Sequence, residues 1–160
     1  DSMLEFISRL IDKIKDRDRC IDVAVRLNKV FFCGMNHSVR SAVKIMREND
    51  FTHVPVLEGG RVAGVFDEYS LIRCLTDSDG HSIGSELRFN KIRQQIDITD
   101  KIGKGYVFVP SAMYAEELRE KIDLAYSEGR RIKMAFVTQN GSKDELLLGI
   151  ITPWDLISAG

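Results

Sequence analysis

The chain makes one statement twice, and this repetition limits its fold more than any single motif does. In the first copy "KVFFCG" predicts a short apolar strand, and "SVRSAVKIMREND" a helix with Val39, Ala42, Val43 and Met46 on one face. "FTHVPVL" then predicts a strand, "EGGR" a turn, and "VAGVFDEYSLIRCL" a strand running into a helix. The second copy keeps the order: "GYVFVP", "YAEELREKIDLAYSEG", "RIKMAFVTQ", the polar turn "NGSKDE", and "LLLGIITPWDLI". Setting Gly64 on Gly149 lays "GVFDEYSLI" over "GIITPWDLI" without a gap, and setting Pro55 on Phe136 requires only a longer turn in the second copy. The lead-ins align as well, Val23 and Leu27 with Ile98 and Ile102. A strand–helix–strand–strand–helix unit this small buries too little surface alone, so the two copies are expected to pack face to face.

Around the repeats the organisation is simple. An amphipathic helix is expected over residues 1–17, the first repeat over 18–80, a linker over 81–94 and the second repeat over 95–160. In "SMLEFISRLIDKIKDRD" the apolar stripe is Leu4, Ile7, Leu10, Ile11 and Ile14, with Ser2 and Glu5 as a capping box. The stripe must cover something, either the core or a second molecule. Its polar face is mixed in sign, which argues against a membrane surface. The linker region "TDSDGHSIGSELRFNKIRQQ" opens with Asp, Ser and Gly breakers and closes on a short helical pattern, which lets the second copy fold back onto the first.

Several function classes are disfavoured by composition. With 23 Lys+Arg against 24 Asp+Glu, there is no electrostatic case for nucleic acid or for membrane insertion. No segment reaches the apolar length of a membrane span. Cys20, Cys33 and Cys74 are odd in number and lack CxxC spacing, as expected for reduced thiols in a cytoplasmic protein. His37, His53 and His81 show no metal-ligand spacing. There is no nucleophile–base pattern, GxGxxG or Walker sequence, so no enzyme activity and no catalytic cofactor are expected.

The stretches "FTHVPVLEGGRVAGVFDEYSLI" and "RIKMAFV…LLLGIITPWDLI" resemble the tandem CBS domain pair, or Bateman module. The resemblance covers nearly the whole chain from about Asp18 onward. It implies an α/β (α+β) fold of two pseudo-symmetric CBS repeats packed face to face, preceded here by the amphipathic helix. It also implies a cleft that binds an adenine nucleotide (AMP, ADP or ATP) or a related adenosyl ligand such as S-adenosylmethionine. Members of this family regulate enzymes, channels or transporters and commonly form disc-like dimers, so a homodimer read by an effector protein or an attached domain is expected.

At "TPWD" a structural role suffices: Thr152 is a good N-cap, Pro153 suits the first helical position, and Asp155 favours the helix dipole. The same geometry serves a ligand, because Asp155 can accept from vicinal ribose hydroxyls while the Thr152 hydroxyl reaches the sugar or phosphate; the resemblance gives both residues the ribose. The first copy has Asp67 and Ser70 at these positions. Asp67 still caps, but a carboxylate there repels phosphate and Ser70 cannot chelate a diol, so one site per chain is expected. The resemblance adds Phe31, Phe51, Thr52 and Ile150 around the adenine, with His53 and Lys133 toward the phosphate. Two departures bear on the slot: Phe136 replaces a proline and is expected to narrow it, and "GSKDE" lengthens a turn at its rim. The alternative is an oligomerisation or protein-interaction module with no small ligand, which the altered first site favours.

Overall fold

Strand alternation and helix caps divide the chain largely as the repeat predicts. The computed structural model describes residues 2–15, 17–77 and 83–159; His81 and the Ile14 side chain lie outside the described residues. Helix α1 (Met3–Lys15) is followed by α2 (Cys20–Val23) and β1 (Val25–Arg26). The first repeat runs β2 (Cys33–Gly34), α3 (Val39–Asn49), β3 (His53–Glu58), β4 (Arg61–Asp67) and α4 (Glu68–Asp77). After α5 (Arg93–Ile96) and α6 (Ile98–Lys101) the second runs β5 (Tyr106–Pro110), α7 (Ala115–Ser127), β6 (Met134–Thr138), β7 (Gly149–Ile151) and α8 (Pro153–Ala159). The opening strand of the first copy is shorter than "KVFFCG" suggests. Leu27–Lys29 form a 3₁₀ turn, and Phe31 stacks on Phe51 instead of extending the ladder.

In each repeat the first strand runs parallel to the second, which is antiparallel to the third. Helices α3 and α4 cover one sheet through Val39, Ala42, Met46 and Cys74, packed on Val54, Val56 and Phe66. Helices α2, α7 and α8 cover the other through Cys20, Ala115, Leu118 and Leu156 on Val109, Val137 and Ile151. The opposite faces of the two sheets meet: Leu57, Val62 and Val65 pack against Tyr106, Met134, Phe136 and Leu147. Burying this apolar layer is what joins the repeats face to face.

The lead-in of each repeat is given to the other. β1, ahead of the first repeat, pairs with β7 of the second, placing Arg26 opposite Gly149. Asp97, ahead of the second repeat, bridges Gly64 on β4 of the first. These crossings explain the glycine that opens "GVFD" and "GIIT". A Cβ on Gly64 would lie 2.4 Å from the Ile96 carbonyl oxygen, and one on Gly149 2.6 Å from that of Val25. The crossings also correct the expected lead-in alignment. Arg26 matches Asp97, so Leu27 matches Ile98 rather than Ile102, and both pack in the layer between the sheets. The second lead-in therefore carries extra residues before β5, and Lys101 lies among them.

Helix α1 keeps its Ser2–Glu5 capping box, the Glu5 N–H donating to Ser2 Oγ at 3.2 Å. Its exit is held on the second repeat, where the guanidiniums of Arg17 and Arg19 lie 4.4 and 3.8 Å from the Tyr114 ring centroid. The stripe does not enter the chain's own core: Leu4 is 79% exposed, and Ile7, Leu10 and Ile11 are 43–44% exposed.

Because backbone approaches backbone at the crossings, Gly64→Ala and Gly149→Ala should each lower unfolding free energy by about 1–3 kcal/mol. Gly34→Ala, whose Cβ meets only ordinary contacts with His37, should change it by less than about 0.5 kcal/mol. Urea denaturation checks this, and similar losses at all three positions would contradict the crossing argument.

Candidate ligand clefts

The strand-to-helix turns of the two copies keep complementary halves of one capping device. In the second copy the Thr152 N–H and hydroxyl donate to Oδ2 of Asp155, at 2.7 and 3.0 Å. In the first copy the direction is reversed: the Ser70 N–H and hydroxyl donate to Oδ1 of Asp67, each at 2.8 Å. Both turns hold their helix, so the local fold survives the exchange of the carboxylate between cap and third helical position. What differs is the carboxylate oxygen left over.

At Asp155 the bonds among the described residues all fall on Oδ2, and the residue is half-buried. Beside it opens a cavity of about 580 Å³ whose walls come from both repeats. Thr52, His53, Asp67, Glu68 and Tyr69 line it from the first repeat, and Arg131, Lys133, Thr152 and Trp154 from the second. Burial lowers the His53 pKa from its ordinary value, with Lys133 pulling the same way and Asp67 opposing, so the ring is neutral at pH 7. Its Nδ1 lies 2.5 Å from Thr52 Oγ1. A pocket with Arg131 and Lys133 on one wall, hydroxyls on two sides and aromatic rings at the rim can hold a ligand with an anionic end and a planar apolar end.

At Asp67 the remaining oxygen is already taken. Oδ2 accepts from the Tyr106 hydroxyl at 2.8 Å and from the Lys101 ammonium at 3.2 Å, and Lys101 also donates to Ser70 Oγ at 3.1 Å. Asp67 is 4% exposed and Ser70 is fully buried. Burial alone would raise the Asp67 carboxyl, but the Ser70 N–H and hydroxyl, the Tyr106 hydroxyl and the Lys101 charge outweigh it and hold it at about 2. Burial and the adjacent carboxylate push the Tyr106 phenol far up, so it remains a donor. Asp67 and Ser70 belong to the first repeat and Lys101 and Tyr106 to the second, so a bridge between the repeats occupies the Asp67 carboxylate, and the cavity of about 390 Å³ beside it is lined by Asp67, Lys101, Lys104 and Tyr106. The phosphate-repelling carboxylate expected from the sequence is instead neutralised in place.

Of the residues singled out from the sequence, Thr52, His53, Lys133 and Thr152 line one cavity. Asp155 stands behind Thr152, joined to it by hydrogen bonds. Phe31 and Phe51 stack on each other with centroids 6.0 Å apart, Phe31 leaning on the first core, and neither lines the cavity. Ile150 packs into the layer between the sheets. Phe136 does not narrow the slot: it is fully buried in that layer, its ring centroid 6.2 Å from Tyr106 and 5.2 Å from Phe108. The "GSKDE" turn reaches the first repeat, the Arg61 guanidinium donating to the Asp144 carbonyl at 2.7 Å, and lines no part of the cavity. Arg131, Lys101 and Tyr106 went unpredicted. Arg131 stands in the same "RRIK" run as Lys133, but Lys101 was hidden by the lead-in alignment and Tyr106 by its contact across the repeats.

Comparison with known proteins bears on the fold. The family model for the CBS domain matches residues 22–77. No curated protein matches the chain. Among solved structures the chain is similar to AcuB from Vibrio cholerae, at 19% identity and TM-score 0.61, over 89% of this chain and 90% of that one. It is similar to protein MJ1225 from Methanocaldococcus jannaschii at 18% identity and TM-score 0.61, over 96% of this chain and 51% of that one. It is also similar to the CBS domains of a transcriptional regulator from Streptococcus pneumoniae, at 15% identity and TM-score 0.58, over 89% of this chain and 99% of that one. The matched segment is the first repeat, and the second repeats its strand and helix order.

The bridge predicts a pH signature. A carboxyl held at about 2 when folded, against roughly 3.9 when unfolded, stabilises the fold above about pH 4, and that stability is lost as pH falls toward 2. Lys101→Met, which strips the buried carboxylate of its ammonium, should cost about 3 kcal/mol at pH 7 and progressively less as pH approaches 2. Denaturation midpoints measured from pH 2 to pH 8 test this; a Lys101→Met loss independent of pH would contradict it.

Proposed function

We propose, from the CBS domain matched at residues 22–77 and the repeat of its strand and helix order after it, that the chain is a regulatory module sensing an adenine nucleotide or a related adenosyl ligand in the second cleft. The observation that carries the reading is the contrast between the clefts. In one the carboxylate is tied by Lys101 and Tyr106 beside a cavity of about 390 Å³, while the other opens on a cavity of about 580 Å³ with Arg131, Lys133 and Thr152 alongside Thr52 and His53. In this reading Asp155 and Thr152 hold the ribose and Lys133, Arg131 and His53 face the phosphate. Phe31, Phe51, Thr52 and Ile150 lie on the adenine side, which for Phe31, Phe51 and Ile150 requires adjustment on binding. Because the walls belong to both repeats, an occupant favours one relative arrangement of them, and a partner or attached domain reads the shift. The chain's similarity to MJ1225, itself put forward as an archaeal homolog of g-AMPK, and to domains of a transcriptional regulator supports a regulatory role.

The module acts as a homodimer in this reading. Tyr69 and Ile72 on α4 occupy the positions of Trp154 and Ile157 on α8, and all four are 58–75% exposed. Two equivalent apolar pairs on one surface suit an isologous contact between copies. The free cysteines are buried, with the Cys20 and Cys33 thiols pushed up to about 11 by desolvation, which suits a reducing, cytoplasmic setting. Among the described residues no helix is long and apolar enough to cross a membrane. The tied carboxylate of the first cleft also favours a second reading, an interaction module that takes no small ligand.

Thermal melting separates the two. An adenosyl ligand at 100 times its dissociation constant should add about 2.7 kcal/mol of apparent stability to the wild type. AMP, ADP, ATP, S-adenosylmethionine and NAD are the probes, each against wild type and Asp155→Ala. The shift should vanish in Asp155→Ala, whose own baseline is lowered by about 1 kcal/mol through the lost cap. If no probe raises the wild-type transition, the interaction-module reading replaces the sensing one. A shift that survives Asp155→Ala unchanged moves the site elsewhere.

A further inference from the structure

The helices α3 and α7 are equivalent in the repeat and opposite in charge. Cys33 pairs with Val56 as Val109 pairs with Val137, so the two chains of residues that follow can be matched position by position. Val39 and Ala115 then open the two helices, both buried, and Ala42 and Leu118 follow on the inner face. On the outer face Arg40 matches Glu116, Lys44 matches Glu120, and Arg47 matches Asp123. All six are exposed. Three cations at i, i+4 and i+7 on one helix thus stand where the other helix carries three carboxylates. Within the chain Lys44 reaches Glu48 at 3.9 Å and Glu116 reaches Arg17 at 2.7 Å. Among the described residues no ion pair involves Arg40, Arg47, Glu120 or Asp123. Arg40, Lys44 and Arg47 line an open groove of about 680 Å³ along α3.

We propose that a second copy of the chain docks head to tail, the first-repeat helices of one copy against the second-repeat helices of the other, with α3 facing α7 across the contact. This rests on the homodimer reading and adds its orientation. α3 shares a core cluster with α4, and α7 with α8, so each repeat carries an exposed apolar pair and a charged helix over one face of its sheet. A twofold axis that sets first repeat on second repeat gives two contacts of opposite charge at once. Setting like repeats together opposes three cations to three cations and three carboxylates to three carboxylates. Exposed ion pairs contribute little affinity singly; like-charge rejection is what selects the orientation, and the apolar pairs supply the attraction.

Sedimentation equilibrium at low and high salt tests the orientation with two double variants, Arg40→Glu/Arg47→Glu and Glu120→Lys/Asp123→Lys. Both leave the Lys44–Glu48 and Arg17–Glu116 pairs in place. Each variant alone should dimerise about tenfold more weakly than wild type at low salt. An equimolar mixture of the two should regain wild-type affinity, because each supplies the charge the other lacks, and high salt should narrow all the differences. If both variants dimerise as tightly as the wild type, α3 and α7 do not meet and the orientation is overturned while the dimer stands. If each is weakened but the mixture is not restored, the charges act within the chain and the orientation is equally overturned. A wild type that stays monomeric at all concentrations removes the dimer and the orientation together.

Discussion

The close approach of one repeat's lead-in to the other repeat's last strand is the constraint on which the remaining structure depends. At Gly64 and Gly149 a carbonyl from the opposite lead-in occupies the space where a Cβ would stand. The two units are therefore interlocked by backbone as well as by the apolar layer between their sheets. Each glycine is followed, three residues on, by the cap of the helix that borders a cleft: Asp67 after Gly64 and Thr152 after Gly149. The crossing that joins the repeats thus also fixes where the two clefts lie.

Within that shared frame the clefts have taken opposite chemistry. A buried carboxylate is costly unless its remaining lone pairs are met, and Asp67 meets them with Ser70 on one oxygen and with Tyr106 and Lys101 on the other. Moving the carboxylate to the third helical position, as at Asp155, keeps the cap while presenting the acid at a half-buried edge beside a cavity. Tyr106 lies between the two. Its hydroxyl bonds Asp67, its ring centroid is 5.9 Å from that of His53, and Lys133 Nζ lies 6.0 Å from its ring. A rearrangement at the second cleft has a physical contact through which to reach the first repeat.

Much of this was legible in the sequence because it is carried by local rules. Period, cap residues and the gapless match of "GVFDEYSLI" with "GIITPWDLI" identify the repeat, the order of its elements and the turns at Asp67 and Thr152. Thr52, His53 and Lys133 were singled out by the family resemblance rather than by local rules, and they line one cavity with Thr152. What remained hidden depends on long-range packing. Phe136 looks like an obstruction when read beside its neighbours, yet its ring points into the layer between the sheets. Lys101 falls in extra residues of the second lead-in, whose register only the Gly64–Asp97 bridge fixes, and Tyr106 opens β5, where nothing local shows that its hydroxyl reaches Asp67. The fate of the α1 stripe was open for the same reason: periodicity shows that a face is apolar but not what covers it.

The claim that the two clefts have diverged, one with its carboxylate tied by Lys101 and Tyr106 and one with its acid left at the edge of a cavity, is tested most directly by counting sites. Equilibrium dialysis of the wild-type chain against a radiolabelled adenosyl probe identified by its stabilising effect should saturate at one molecule per chain, with none retained by Asp155→Ala. Saturation at two per chain, or one retained by Asp155→Ala, would contradict the account, because the first cleft would then admit a ligand past Lys101 and Tyr106.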